Sequence, residues 1–92
     1  MPIRFDWDSK KADANRGKHG VSFEEAATAF GDPLSLTVPD PDHSVGESRY
    51  LLLGQTFRGR LIVVSHAEHG DSIRIISARL ATNQERRDYE GS

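Results

Sequence analysis

Between residues 49 and 80 the chain reads RYLLLGQTFRGRLIVVSHAEHGDSIRIISARL. Three segments rich in aliphatic and β-branched residues, 49–56, 60–67 and 72–80, are separated only by FRG and EHGD. Gaps that short, each carrying a glycine, leave room for reversals and nothing else. They predict three consecutive strands joined as antiparallel hairpins.

The rest of the chain supplies what such a sheet packs against. IRFDW, residues 3–7, alternates apolar and polar and predicts a first strand. Asp8 follows as a helix N-cap, with Trp7 and Ala12 at staple positions, and Gly20 supplies the left-handed stop after about Lys18. Ser22 and Glu25 have the spacing of a capping box, and Phe23, Ala26, Ala27 and Phe30 form one apolar stripe ended by Gly31 and Pro33. LSLTV, 34–38, predicts a strand, and PDPDHSVGES a polar loop. Thr82 and Glu85 form a second capping box opening a helix to about Glu90. The expected order is β-α-α-β-β-β-β-α, a single α+β domain over residues 1–92. In it an antiparallel meander packs against helices segregated to one side.

Ninety-two residues make one core, and 36% apolar with 28% charged residues describes a soluble globular chain. There is no cysteine, hence no disulfide or thiolate chemistry. No apolar run reaches the roughly 18 residues of a membrane span, and MPIRFDWDSKK has no signal-peptide core. A cytoplasmic chain without membrane contact is the expectation. The net charge of −2 hides an uneven distribution. Glu24, Glu25, Asp32, Asp40, Asp42 and Glu47 fall in a stretch with no Lys or Arg, whereas Arg49 to Arg87 holds seven arginines against three carboxylates. A basic half attracts a polyanion; an acidic stretch repels it or receives a basic partner.

His19, His43, His66 and His69 show no metal-ligand spacing, and no phosphate loop, dinucleotide fingerprint or nucleophile elbow is present. Neither metal nor cofactor is expected. What remains is a sheet bearing cations. Strict alternation puts Ile73, Ile75, Ser77 and Arg79 on one face and Arg74, Ile76 and Ala78 on the other. A hairpin pairing Gln55 with Arg60 sets Arg49 opposite His66. An arginine fork holding phosphate beside a histidine that moves protons is the minimum for metal-free attack on RNA by its own 2′-hydroxyl. The bland alternatives are a structural His66, and Arg49 and Arg79 paired with Glu47 or Glu85. Arg86 has a partner of the same kind in Glu90.

The segments WD (7–8), KHGVSFEEA (18–26), DP (32–33), R-x-x-x-x-G (49–54) and RIISARLAT-x-x-E-R-x-x-Y-E (74–90), in this order, resemble the BrnT toxins of bacterial type II toxin–antitoxin systems over nearly the whole chain. The resemblance implies a RelE-like fold and a ribonuclease toxin that cleaves RNA without metal and arrests translation and growth. It also implies a BrnA-type antitoxin partner whose ribbon-helix-helix part binds operator DNA. Carried over by position, Arg49, His66 and Arg79 are the expected catalytic residues, with Lys18, His19, Arg74 and Arg86 on the RNA surface. Lys18-His19-Gly20 has a purely architectural alternative as a helix end. Tyr89 suits a packing role better than proton transfer, since a phenol titrates near 10. The acidic stretch 24–47 is a candidate seat for a basic antitoxin arm. Two other readings remain open from sequence: a non-catalytic co-repressor working with a DNA-binding partner, and a structural adaptor.

Overall fold

The computed structural model describes residues 3–40 and 47–91. In chain order these form β1 (Arg4–Asp6), α1 (Ser9–His19), α2 (Phe23–Thr28), a single 3-10 turn (Ala29–Gly31), β2 (Leu36–Pro39), β3 (Arg49–Gln55), β4 (Leu61–His69), β5 (Ser72–Leu80) and α3 (Asn83–Glu90). Asp42 and His43 of the predicted polar loop lie outside the described residues.

The five strands form one sheet in the order β1-β5-β4-β3-β2. β2 to β5 are the expected antiparallel meander. β1 differs: it adds to the far side of β5 in parallel, Phe5 against Ile73. The sheet is therefore mixed, and α1 and α2 carry the chain from β1 at one edge to β2 at the other, so that the connection between the two parallel strands also includes β2 to β4.

Local chemistry sets the helix ends. The Asp8 carboxylate accepts the Lys11 N–H at 3.1 Å, and Gly20 takes φ 71° while its N–H returns to the Arg16 carbonyl. Ser22 accepts the Glu25 N–H at 3.0 Å, but Glu25 does not complete the expected capping box. Its buried carboxylate instead takes Arg60 Nε and the Thr56 hydroxyl, each at 2.8 Å. A charged donor outcompetes a backbone N–H, so this side chain ties α2 to the β3–β4 hairpin rather than capping its own helix.

One face of the sheet is the core. Leu52, Ile62, Val64, Ile75 and Ala78 meet Val21, Phe23, Ala26 and Ala29, with Phe5, Trp7 and Phe30 around them. Trp7 meets Phe23 edge-on at 6.0 Å, which anchors the start of an otherwise polar α1. A buried asparagine does the rest. Asn15 accepts the Ala78 N–H at 3.0 Å and donates to the Ala78 and Val21 carbonyls at 2.8 and 2.9 Å. β1 stops opposite Arg74, so the amide takes the place of a strand partner for β5 beyond that point.

The other face is not bare of helix. α3 contacts β3, and its Glu85 and Asp88 line a groove there with Leu53 and Val63. Helices thus lie on both faces, a departure from the one-sided arrangement read from sequence. The Thr82–Glu85 capping box forms in full. Glu85 also grips Arg79 through two parallel bonds of 2.8 and 2.9 Å, and this pairing first, then the Thr82 N–H, holds its carboxyl at about 2. No helix among the described residues is long and apolar enough to cross a membrane.

Two outcomes follow from these anchors. Asn15→Ala strands the buried Ala78 N–H and two carbonyls, and urea denaturation is expected to show a loss of about 3 kcal/mol. Glu85 titrates at about 2 in the fold against 4.5 for the free group. Its contribution to stability is thus complete above the unfolded value and disappears as pH falls through the interval to the folded one. Unfolding midpoints measured across that interval are expected to drop less steeply in Glu85→Gln than in the parent chain.

Candidate functional site

Two local features decide which side chains share the outward face. The first is the β3–β4 turn. Thr56 N–H bonds the Arg60 carbonyl at 2.8 Å and Gly59 N–H bonds the Thr56 carbonyl at 2.9 Å, with Gly59 at φ 79°. This is a three-residue loop with glycine in the left-handed position. Gln55 therefore pairs with Leu61, not with Arg60, and Arg49 pairs with Ala67 while Tyr50 faces His66. The second is a β-bulge. The register runs from Ser65 against Ser77 to His66 against Ile75, so Ile76 has no partner on β4. Alternation restarts after it. Ile73, Ile75 and Ala78 all turn inward and are buried, leaving Arg74, Ser77 and Arg79 together on the outer face. Strict alternation had separated Arg74 from Arg79; the bulge reunites them.

Arg49 and Arg74 stand on that outer face on either side of Ala67 and converge on one carboxylate. Arg49 Nε donates to Glu47 Oε1 at 2.7 Å. Arg74 Nη2 donates to Oε1 at 2.8 Å and Oε2 at 2.7 Å. His69 Nε2 lies 3.5 Å from Oε2. The Arg49 bond, then the Arg74 bonds, hold the Glu47 carboxyl at about 2. Two guanidinium groups on one carboxylate leave a net positive charge before His69 is counted.

Arg79 is on the same face but apart. It pairs with Val63, four residues along β4 from Ala67, which is about 13 Å. Its fork is closed one-to-one on Glu85. His66 is elsewhere. It is fully buried on the core face, with Phe30 edge-on at 4.8 Å and Tyr50 stacked at 5.9 Å. Its Nε2 sits 3.2 Å from Glu68 Oε2 and its Nδ1 3.3 Å from the Val64 carbonyl. The expected meeting of Arg49, His66 and Arg79 does not occur. The one-residue shift in register turns Arg49 away from His66, and burial removes the histidine from the outer surface.

The remaining candidates lie along the rim. Lys18 and His19 line a shallow pocket of about 220 Å³ with Lys11, Ile76 and Ser77, beside the bulge. Among the described residues neither Lys11 nor Lys18 is held in an ion pair, and exposed Arg86 does not pair with Glu90. Tyr89 donates its hydroxyl to Asp32 Oδ2 at 2.6 Å. That bond raises the phenol above its ordinary range, so the residue tethers α3 and is ill-suited to proton transfer.

Sequence reasoning named Glu47 as an ion-pair partner for Arg49, a pair the structure contains, but did not give it a place in the site. His69 was weighed only as a metal ligand. A three-residue loop ending in glycine was the available signal, since it sets the register that brings both to the arginine row. Among the described residues no three His, Asp or Glu side chains converge as metal ligands.

Two comparisons bear on this geometry. Residues 7–85 match the family model described as the ribonuclease toxin BrnT of type II toxin–antitoxin systems. The fold is similar to the crystal structure of the Brucella abortus ribonuclease toxin BrnT, with a TM-score of 0.69 at 21% identity, covering 88% of this chain and 99% of that one. At that identity the structural likeness speaks for the fold alone. No relative was found among curated proteins. With nearly the whole chain matched by the family model, this protein belongs to the BrnT family of ribonuclease toxins of type II toxin–antitoxin systems.

Proposed function

We propose that this chain is an endoribonuclease toxin that cuts RNA by 2′-hydroxyl attack, using protein groups without metal, and so inhibits translation and growth in the cytoplasm until a BrnA-type antitoxin neutralises it. The RelE-like grouping of the fold belongs to the same reading. The observation that carries it is the Glu47 cluster: a carboxylate hydrogen-bonded by two arginines and with an imidazole nitrogen 3.5 Å away, with positive charge in surplus.

Each group has a role that its chemistry suits. Arg49 and Arg74 take the non-bridging oxygens of the scissile phosphate and stabilise the charge that develops on phosphorus. In doing so they give up hydrogen bonds to Glu47. Those bonds hold its carboxyl at about 2, so their loss raises its basicity at the moment a base is needed. Glu47 then accepts the 2′-hydroxyl proton, the 2′-oxygen bonds to phosphorus, the P–O5′ bond breaks, and His69 delivers a proton to the leaving 5′-oxygen. The products are a 2′,3′-cyclic phosphate and a 5′-hydroxyl. Arg79, Lys18, His19 and Arg86 bind flanking phosphates along the rim. His66 supports the core behind the site and takes no part in proton transfer.

The non-catalytic alternative, a co-repressor acting with a DNA-binding antitoxin, draws on one observation: Arg49, Arg74 and Arg79 are all engaged by carboxylates in the free chain. Cleavage assays decide between the two. Purified protein is expected to cut RNA in excess chelator and leave cyclic phosphate ends. Arg49→Ala and Arg74→Ala are each expected to lower kcat/KM by about 100–1000-fold without loss of fold. Lys18→Ala and Arg86→Ala instead weaken binding and reduce the salt slope by about one each. Undiminished cleavage by an Arg49→Ala/Arg74→Ala double variant, or activity that chelator abolishes, removes this mechanism.

A further inference from the structure

The outer face carries charge at one end and hydrocarbon at the other. Leu36, Leu53 and Val63 form one cross-strand row, and Val38 with Leu51 the next. These five side chains floor a groove of about 300 Å³ whose α3 wall is Glu85 and Asp88. Val38 is 53% exposed. A contiguous aliphatic patch on a chain this small marks an interaction surface rather than scatter.

The occupant is defined by the groove's chemistry. An apolar floor with carboxylates on its α3 side disfavours RNA. A second copy of this chain applied by the same surface would set acidic wall against acidic wall. The carboxylates of Glu85 and Asp88 line its α3 side, which favours a guest carrying a basic residue at that edge. A strand added at the open edge of β2 would leave Leu53 and Val63 uncovered. A helix lying on the sheet beside α3 covers them all. We propose that the groove receives an amphipathic helix of the protein antitoxin, with aliphatic residues at i, i+3 or i+4 and i+7 and a Lys or Arg directed at the α3 wall. This rests on the toxin reading, since the partner is the antitoxin which that family implies.

The test uses the full chain and its cognate antitoxin, with affinity read by calorimetry. A Val38→Glu/Leu51→Glu double variant is expected to bind the antitoxin about 30-fold more weakly or worse. Val38→Glu alone, at an exposed position, keeps the test readable if the double variant unfolds, and it too is expected to weaken binding measurably. Asp88→Lys is expected to lose about tenfold, recovered by an acidic residue in place of the facing base on the antitoxin helix. RNA cleavage by free Val38→Glu stays within about twofold of the parent. Affinity unchanged in all these variants overturns the proposal. So does a homodimer of the free chain that Val38→Glu dissociates. A parent protein that binds antitoxin at this groove yet cuts no RNA would sink the nuclease mechanism and leave the docking surface standing.

Discussion

The unpaired residue at Ile76 governs the chemistry of the whole outer face. Ile75 and Ala78 both belong to the core, yet residues three apart on a regular strand point to opposite sides. Only an inserted residue lets β5 bury both. The same insertion carries Ser77 and Arg79 to the side that Arg74 already occupies. Just past the bulge, beyond the end of β1, the backbone of Ala78 has β4 on one side only, and Asn15 supplies the two hydrogen bonds missing on the other. Core packing and the outward row of arginines are therefore two consequences of one local irregularity, and α1 docks where β1 ends beside it.

The register of β3 on β4 makes the second half of the site, and it shows how far the sequence could be read. Element order, the Asp8 and Ser22 caps and the Thr82–Glu85 box were all legible, because each depends on residues within four positions of one another. The FRG loop was legible as a hairpin, but its register was read one residue out, with Gln55 against Arg60 instead of Leu61. Glycine as third residue of a three-residue turn predicts the pairing of Thr56 with Arg60, and that pairing turns Arg49 away from His66. The bulge was not legible. It answers to the shape of a core that includes Phe23 and Ala26 from another element. The role of Asn15 and the bond of Glu47 to Arg74 were hidden for the same reason, since those partners lie 63 and 27 positions away; the nearer pairing of Glu47 with Arg49 was legible.

An acidic protein collects arginines here because carboxylates from separate elements meet them. Glu25 of α2 holds Arg60 of the β3–β4 turn, Glu85 of α3 holds Arg79 of β5, and Glu47 ahead of β3 holds Arg49 and Arg74. These pairs are not equivalent. Glu25 is buried, so breaking its pair would leave an uncompensated interior charge at a cost of about 3 kcal/mol. Exposed pairs contribute at most about 1 kcal/mol. The Glu47 group is half-exposed and unbalanced, two cations to one anion. A dianionic transition state gains most from such a group, and a phosphodiester can displace Glu47 from it without opening the core.

Distance along β4 relates the groove to the arginine row. Ser65, opposite Leu51, lies two residues from Ala67, about 7 Å, and Val63 lies four, about 13 Å. A helix with its side chains has a radius of about 5–6 Å. Seated over the Leu53–Val63 row alone, it would leave the Glu47 cluster open. Centred between that row and the Leu51 row, its near edge would come within about 5 Å of the Arg49–Arg74 row, closer than a phosphate with its ribose permits. Val38 and Leu51 thus do more than enlarge the apolar floor. On the proposed reading they would draw an occupant toward the cluster, so that a partner recognised by hydrocarbon and the α3 carboxylates would also close a site whose substrate is recognised by cations.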